Sequence, residues 1–368
     1  MKLKLKNTPE QVELVRAMGS KDAGDAREAQ EAFAAFLGPV VQQVLLQAGS
    51  AGAIFSDAPF DEDDSPSFPL DLYYGESENH VTVWSQSIAG GLPSSHIAGM
   101  QELKIATYRL DSAVNWLKKY ARRARLDVVS KAIERMAQEI LIKQERNAWA
   151  VILKALGEAS TGGNAHTIAA TTKDVLQVDD FNKLMTRIKR LNESFANGTP
   201  DVAYSNGITD LYLSPEMMQQ VRSWAYQPMN TRGVPDSNES TALALPDNVR
   251  EGIYRQAGLQ EIFGVNLVEL NEFGVSKKYN TLFDAYDTGN ISPDGGAFAT
   301  AGEEILVGVD NSKGAFIRPV AQQHESGGQF VTFADDQWSV RSEKVGFYGF
   351  LEEGRVCIDS RAVVGIVV

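Results

Sequence analysis

In the first fifty residues, apolar positions recur among polar ones at helical spacing. Thr8-Pro9-Glu10-Gln11 predicts a helix start with a capping box and proline in the first turn. This helix is expected to end near Gly19, because glycine commonly follows a helix C-terminus. A second helix is predicted from 25 to 37, ending at Gly38-Pro39, and a third from 39 to 49. Apolar residues are sparse here, which is typical of an arm that lies on another surface.

Residues 50–110 have the pattern of extended structure. Apolar and polar residues alternate around Val81-Thr82-Val83 and around Leu103-Lys104-Ile105, with Gly90-Gly91-Leu92-Pro93 between them. The pattern predicts a long projecting hairpin with too few apolar positions to bury both faces. Such a hairpin is only marginally stable alone, so we expect it to lie against another surface.

The most regular helical periodicity lies between residues 113 and 156. Apolar residues of 113–125 share one face of a predicted helix, and Asp127 is expected to cap a second helix that runs to about Leu156. At 1.5 Å per residue, the second helix is a rod of about 40 Å. Five basic residues fall on the outer face of the first helix and are called the basic cluster: Lys118, Lys119, Arg122, Arg123 and Arg125.

Beyond Gly162-Gly163 the pattern is mixed α and β. Asp179 is expected to cap a helix, and a strand at 210–213 leads into a helix capped by Ser214. The tail from Phe330 reads as nearly continuous strand, and its apolar end is expected to lie inside a sheet. Further predicted segments are loops at 226–248 and 287–302, a helix at 249–257 and a strand from 261.

The overall composition narrows the function. The chain has 368 residues and a formal net charge of −13, which argues against a protein whose main surface grips nucleic acid. Its one cysteine, Cys357, cannot form an intramolecular disulfide. No apolar run is long enough to span a membrane, and no apolar stretch of a signal peptide follows the basic residues 1–6. We expect no membrane association.

No arrangement of residues predicts catalysis. The histidines His80, His96, His166 and His324 are scattered, and no metal-binding spacing, phosphate-binding loop or nucleophile elbow occurs. The acidic run 61–64 is interpreted as a solvated loop, with a divalent cation site as the alternative. The basic cluster is interpreted as a solvated face or a subunit contact, with nucleic acid or an acidic partner as the alternative. We therefore predict no catalytic residue, no cofactor and no metal.

The order of elements, together with three local sequences, resembles a known family. The first is Glu102-Leu103-Lys104-Ile105-Ala106-Thr107-Tyr108-Arg109 before the helix 128–156, and the second is Leu211-Tyr212-Leu213-Ser214-Pro215. The third is 253–265, with the late segment 354–364. The chain resembles the major capsid proteins of tailed bacteriophages, which have the Hong Kong 97-type fold.

The resemblance implies an α+β fold and a domain order, over about residues 50–368. The implied parts are an N-terminal helical arm (1–49), an extended loop (50–110), a peripheral domain with a spine helix (111–165), a mainly axial domain (166–320) and C-terminal strands that complete both domains (321–368). Some relatives cross-link their subunits through a loop lysine. Lys104 lies in the corresponding loop, but no asparagine can be matched to it, so that chemistry is not carried over.

The resemblance also implies the partners. The chain is expected to assemble with copies of itself into pentamers and hexamers and to enclose double-stranded DNA with at most weak contact. Scaffolding, decoration and portal proteins are further expected partners, and the expected location is the virion after assembly in the host bacterial cytoplasm. Candidate subunit-interface residues are Val81, Val83, Ile105, Arg109, Lys118 and Arg122.

Three alternatives stay open at this point. An encapsulin-type compartment would enclose a cargo protein instead of a genome. A tail-tube or other ring-forming virion protein would form cylinders, and an α/β enzyme with an unrecognised site would remain a monomer or dimer.

Overall fold

The computed structural model describes residues 8–47, 49–61, 64–69, 102–123, 125–159, 165–191, 207–224, 261–287, 289, 291–322, 329–335 and 343–368. The chain divides into two compact units. Described parts of 1–69, 102–149 and 316–356 form the first unit, and described parts of 150–315 and 357–368 form the second. The predicted segments 226–248 and 249–257 lie outside the described residues.

Helices and strands are mixed along the described chain, so the predicted α+β class is confirmed. The helices are α1 (Pro9–Met18), α2 (Ala23–Gln47), α3 (Lys118–Arg122), α4 (Leu126–Glu158), α5 (Val178–Leu191), α6 (Pro215–Ser223) and α7 (Lys278–Tyr286). The strands are β1 (Ser56–Asp61), β2 (Ser67–Pro69), β3 (Glu102–Lys104), β4 (Tyr108–Leu117), β5 (Thr167–Ala169), β6 (Asp210–Leu213), β7 (Glu261–Ile262), β8 (Val265–Glu269), β9 (Ile305–Val309), β10 (Phe316–Gln322), β11 (Phe330–Asp335), β12 (Lys344–Glu353), β13 (Val356–Cys357) and β14 (Val363–Val367).

The first unit is a sheet covered on one face by helices. Strand β12 lies between β11 and β4 and is antiparallel to both. Its end pairs with β10 through Val320 and Glu353, and β1 runs parallel to β10. Trp116 and Phe347 of the sheet pack with Phe33 of α2 in one buried core, to which α1 and α4 also contribute. This arrangement leaves the opposite face of β4, β12 and β11 outside that core.

Helix α2 corrects the predicted break at Gly38-Pro39, because it runs through both residues as one helix. The apolar face is continuous across the proline, since Leu37 and Val41 are both buried in the core. Gly38 lies close to β11, where an added Cβ would be 3.3 Å from the Thr332 hydroxyl oxygen. Packing against the sheet therefore outweighs the hydrogen bond that proline removes.

Strand β4 corrects the helix predicted at 113–125. Leu110 and Trp116 are buried on one side of this strand, while Asp111 and Asn115 point to the exposed side. This period of two is the signature of a strand, and all ten residues pair with β12. Helical structure begins only at Lys118, with the short helix α3.

Helix α4 confirms the predicted rod. It has 33 residues and is therefore about 50 Å long. Its buried stripe includes Val129, Ile133, Met136 and Ile140, as the sequence pattern predicted.

The second unit contains a sheet in the order β5-β14-β9-β6-β8-β7. The C-terminal strand β14 lies between β5 and β9 and is buried along its whole length, as predicted. The predicted cap of α6 is also confirmed, because the Ser214 hydroxyl accepts a hydrogen bond from the Met217 amide at 3.1 Å. The strand predicted from 261 is instead a hairpin, which turns at Phe263-Gly264 with positive φ at both residues.

Candidate assembly surface

The base of the predicted hairpin lies in the first unit. Strands β2 and β3 pair antiparallel, with Phe68 opposite Leu103. The Ile105 amide donates to the Pro66 carbonyl at 3.0 Å, which extends the pairing by one step. These strands flank the segment 70–101, so the residues immediately before and after it are paired with one another.

The predicted interface residues of the hairpin fall in different places. Val81 and Val83, and the strand predicted around them, lie outside the described residues. Ile105 is buried within its own chain, and its side chain lies beside Gly354, whose added Cβ would be 3.0 Å away. Ile105 thus packs the hairpin base onto its own unit.

A buried ionic network holds the junction between the hairpin base and the sheet. Glu353 of β12 is fully buried and accepts hydrogen bonds from the Tyr108 hydroxyl at 2.9 Å and from the Gln144 amide at 3.0 Å. The Arg355 guanidinium approaches the same carboxylate at 3.4 Å, and that of Arg318 at 3.8 Å. Burial, and next the Glu353 charge, raise the pKa of Tyr108 to about 12, so its phenol stays a proton donor.

Asp57 completes the network from strand β1. Its two carboxylate oxygens accept both hydrogen bonds of a bidentate pair with Arg318, each at 2.7 Å. Two carboxylates and two guanidinium groups therefore balance in charge, which is the condition under which buried ions are tolerated. The network fixes the point at which the hairpin leaves the sheet.

The outer face of the same sheet carries an aromatic patch, which we define as Arg109, Phe333, Tyr348 and Phe350; Phe333 is exposed, Tyr348 is half-buried and Phe350 is buried. The rings of Phe333 and Phe350 stack with centroids 6.0 Å apart, and Tyr348 lies 6.0 Å from Phe350. The Arg109 guanidinium lies over the Phe350 ring at 3.7 Å. Phe333 remains 47% exposed. Aromatic residues and arginine are the types enriched in protein interfaces.

Polar contacts hold Arg109 in place on the patch. Its guanidinium donates to the Asp111 carboxylate at 2.7 Å and to the Tyr348 hydroxyl at 2.7 Å, and Tyr348 in turn donates to Asp111. The Tyr348 hydrogen bond, and then the Arg109 contacts, hold the pKa of Asp111 below its ordinary value. The patch is thus a preorganised surface, which reduces the entropy lost on binding.

Sequence reasoning predicted Arg109 but missed the three aromatic residues. They sit on β11 and β12, whose sequences are apolar on both faces: Phe347 and Leu351 point inward, while Tyr348 and Phe350 point outward. An apolar run of this kind is the pattern of a strand covered on both sides. The sequence therefore carried the signal of a doubly covered strand, but it did not show which strands pair with β12 and so bring these side chains together.

Lys118 and Arg122, the other predicted interface residues, lie on α3. The Lys118 amide donates to the Glu343 carbonyl at 2.7 Å, and the Arg122 guanidinium donates to the Gly19 carbonyl at 2.7 Å. The second contact joins α3 to the end of α1. Both ends of α3 are therefore anchored within the first unit.

A shallow cavity of about 420 Å³ lies beside the hairpin base, lined in part by Asp61, Asp64 and Gln322.

Within the described residues, no group of three or more acidic, histidine or cysteine side chains is placed to hold a metal ion. Among the helices of the described segments, none has both the length and the apolar character needed to cross a bilayer.

Comparisons with known proteins bear on the fold. No protein-family model matches the chain, and no curated protein matches its sequence. The capsid of cyanophage P-SCSP1u is similar over 85% of this chain and 86% of that chain, with a TM-score of 0.52 and 13% identity. Microbacterium phage Oxtober96 is similar over 87% and 90%, with a TM-score of 0.49 and 11% identity. An encapsulin complex from Synechococcus elongatus is similar over 85% and 84%, with a TM-score of 0.43 and 11% identity.

The cyanophage likeness, at low identity, is one of fold. It spans most of both chains, so it includes both compact units and not only one shared motif. The chain has the Hong Kong 97-type capsid fold that its element order predicted.

Proposed function

We propose that this chain is the structural subunit of an icosahedral phage head, which assembles from pentamers and hexamers and encloses double-stranded DNA. The observation that carries the proposal is the likeness to the cyanophage capsid across 85% of the chain. In this proposal the first unit is the peripheral domain and the second is the axial domain. The segment 226–248 lies near a ring axis, where copies converge.

Residues 68–110 are the main clamp between neighbouring subunits in this proposal. The two-stranded base at β2 and β3 supports it, because the strands that flank 70–101 pair with one another within one unit. Val81 and Val83 contact the neighbour, while Ile105 anchors the clamp to its own subunit. A standard interface buries roughly 800 Å² on each partner. Around a ring, several such contacts must break together before a subunit leaves.

The aromatic patch is proposed as a second contact between subunits. Its rings are held in place by Arg109 and Asp111, so little side-chain freedom is lost when a partner covers them. Scaffolding, decoration and portal proteins are the further partners of the proposed head. The head assembles in the bacterial host cytoplasm and remains in the virion.

Negative-stain electron microscopy of the purified full-length chain tests the proposal. Closed shells are expected, whereas cylinders, or a monomer or dimer in every condition, would contradict it. Deletion of residues 86–100 is expected to abolish shells, and normal shells would refute the clamp. Shells from infected cells should contain DNA, and shells that contain a cargo protein without nucleic acid would favour an encapsulin-type compartment.

A matched pair of variants tests the aromatic patch. Phe333→Ala is expected to slow assembly, measured by light scattering, with little change in the unfolding of the subunit. Phe36→Ala is the control, because Phe36 belongs to the same unit and is also 47% exposed. Equal effects of both variants would show that apolar area in general, and not the patch, drives assembly.

A further inference from the structure

The basic cluster departs from the charge pattern of the rest of the chain. Residues 118–125 hold five cations in eight positions, in a protein of net charge −13. Four of them, Lys119, Arg122, Arg123 and Arg125, are exposed, and Lys118 is half-buried. The cluster is therefore a compact positive surface on an otherwise acidic molecule.

The described carboxylates do not neutralise the cluster. Other surface cations form ion pairs on their own helices, such as Lys154 with Glu158 and Lys183 with Asp179. Within the described residues, none of the five cations of the cluster forms an ion pair. The acidic residue nearest in sequence is Asp127, at the start of α4. Glu343 meets Lys118 only through its backbone carbonyl among the contacts of the described residues.

Helix α3, beneath the cluster, packs closely against its own unit. Ala121 of α3 is fully buried, so the helix presents its Lys and Arg residues outward. Gly19 at the end of α1 lies so close that an added Cβ would be 2.7 Å from the Arg122 amide nitrogen. With the Arg122–Gly19 hydrogen bond, this contact fixes the position of Arg122 and of the backbone that carries the neighbouring cations.

We propose that the basic cluster binds the phosphate backbone of double-stranded DNA, so that this end of the first unit faces the genome. The proposal rests on the proposed function, because it names the side of the subunit that meets the enclosed DNA. A compact group of exposed lysine and arginine residues without ion-pair partners is the electrostatic footprint of a phosphate contact. The remaining acidic surface repels DNA, so the contact stays local and independent of sequence.

Salt-dependent binding of the full-length, unassembled chain to a 30-base-pair duplex tests the proposal. The logarithm of the affinity is expected to fall with the logarithm of salt concentration, with a slope of about −0.9 for each phosphate contacted. The variant Lys119→Gln/Arg123→Gln/Arg125→Gln keeps the Arg122 contact with α1. It is expected to reduce the magnitude of that slope by about 2.7.

The control variant Lys143→Gln/Arg146→Gln/Lys278→Gln removes the same charge from other exposed positions. It is expected to leave the slope unchanged, and an equal reduction would overturn the proposal, since net charge alone would then explain binding. Absence of duplex binding by the natural chain would also overturn it. So would preferential binding of an acidic peptide with the sequence of residues 57–68, which would identify the cluster as a contact between copies.

Shell formation by both variants is scored in parallel by electron microscopy. Normal shells with a reduced salt slope support both proposals. Failure of the natural chain to form any shell contradicts the proposed function, whatever the duplex measurement gives, and so separates the two failures.

Discussion

Glu353→Gln probes the buried ionic network of the first unit. The substitution keeps the shape of the side chain and its contact with Gln144, but removes the one negative charge that faces both Arg318 and Arg355. Arg318 retains its bidentate partner Asp57. Among the described residues, the remaining contact of Arg355 is the Phe55 ring, at 4.9 Å from its guanidinium carbon, and its Nη1 has no hydrogen-bond partner there.

The expected cost follows from the burial of Arg355. Its side chain is 3% exposed, so the variant leaves a desolvated cation without a counter-charge. Removing one partner of a buried pair costs about 3–5 kcal/mol. Glu352→Gln is the matched control. The Glu352 carboxylate, next to Glu353 in sequence, is half-buried and accepts a hydrogen bond from the Thr107 hydroxyl at 2.6 Å. Its expected cost is about 1 kcal/mol.

Equilibrium urea unfolding of the dissociated chain, followed by tryptophan fluorescence, measures both variants. The double variant Glu353→Gln/Arg355→Gln is expected to recover part of the loss, with a coupling of about 1–3 kcal/mol. A loss in Glu353→Gln no larger than in Glu352→Gln, or an additive double variant, would refute the assignment of the loss to Arg355.

Three further outcomes are expected, each read from unfolding curves. Pro39→Ala should stabilise the chain by about 1–2 kcal/mol, because it restores the amide that bonds the Ala35 carbonyl in α2, and no gain would show that the helix is locally open. Gly157→Ala should cost about 1–3 kcal/mol, since its Cβ would lie 2.9 Å from the Tyr286 carbonyl carbon; an unchanged midpoint would contradict this contact. Burial, and then the neighbouring acidic charges, raise the pKa of Glu304. The free energy of unfolding should therefore fall as pH rises from the ordinary glutamate pKa through the raised value. Glu304→Gln should remove this fall, and persistence of the same pH profile would contradict the assignment.

Local patterns were enough to predict the long helix and the Ser214 cap. The other predicted caps were wrong: Asp127 and Asp179 lie inside the first turns of α4 and α5, and the Thr8 side chain makes no capping hydrogen bond. The stripe of α4 and the Ser214 cap depend on residues within a few positions of one another, so they can be read without knowing the fold. Strand β4 was misread because Ala113 and Leu117 also fit a helical spacing. Pairing with β12 decided between the two periods, and that pairing joins distant parts of the chain.

The candidate surface could be predicted only in part for the same reason. Arg109 meets Phe350 and Tyr348 through the register of β4 on β12, and Phe333 joins them through the register of β11. A shift of one residue in either register would turn these side chains to the other face. Their conjunction is therefore a property of the sheet and not of any one segment.

Salt is expected to have opposite effects on the association of subunits and on the binding of DNA. The charge of −13 makes copies of the subunit repel one another, while the exposed ring of Phe333 favours contact. Raising the salt from 0.1 M to 1 M shortens the screening length from about 10 Å to about 3 Å, which weakens repulsion and leaves the burial of aromatic rings intact. The same rise in salt weakens the proposed contact between the basic cluster and the DNA backbone. In the proposed head, assembly should therefore strengthen with salt while the DNA contact weakens, because different residues carry the two interactions.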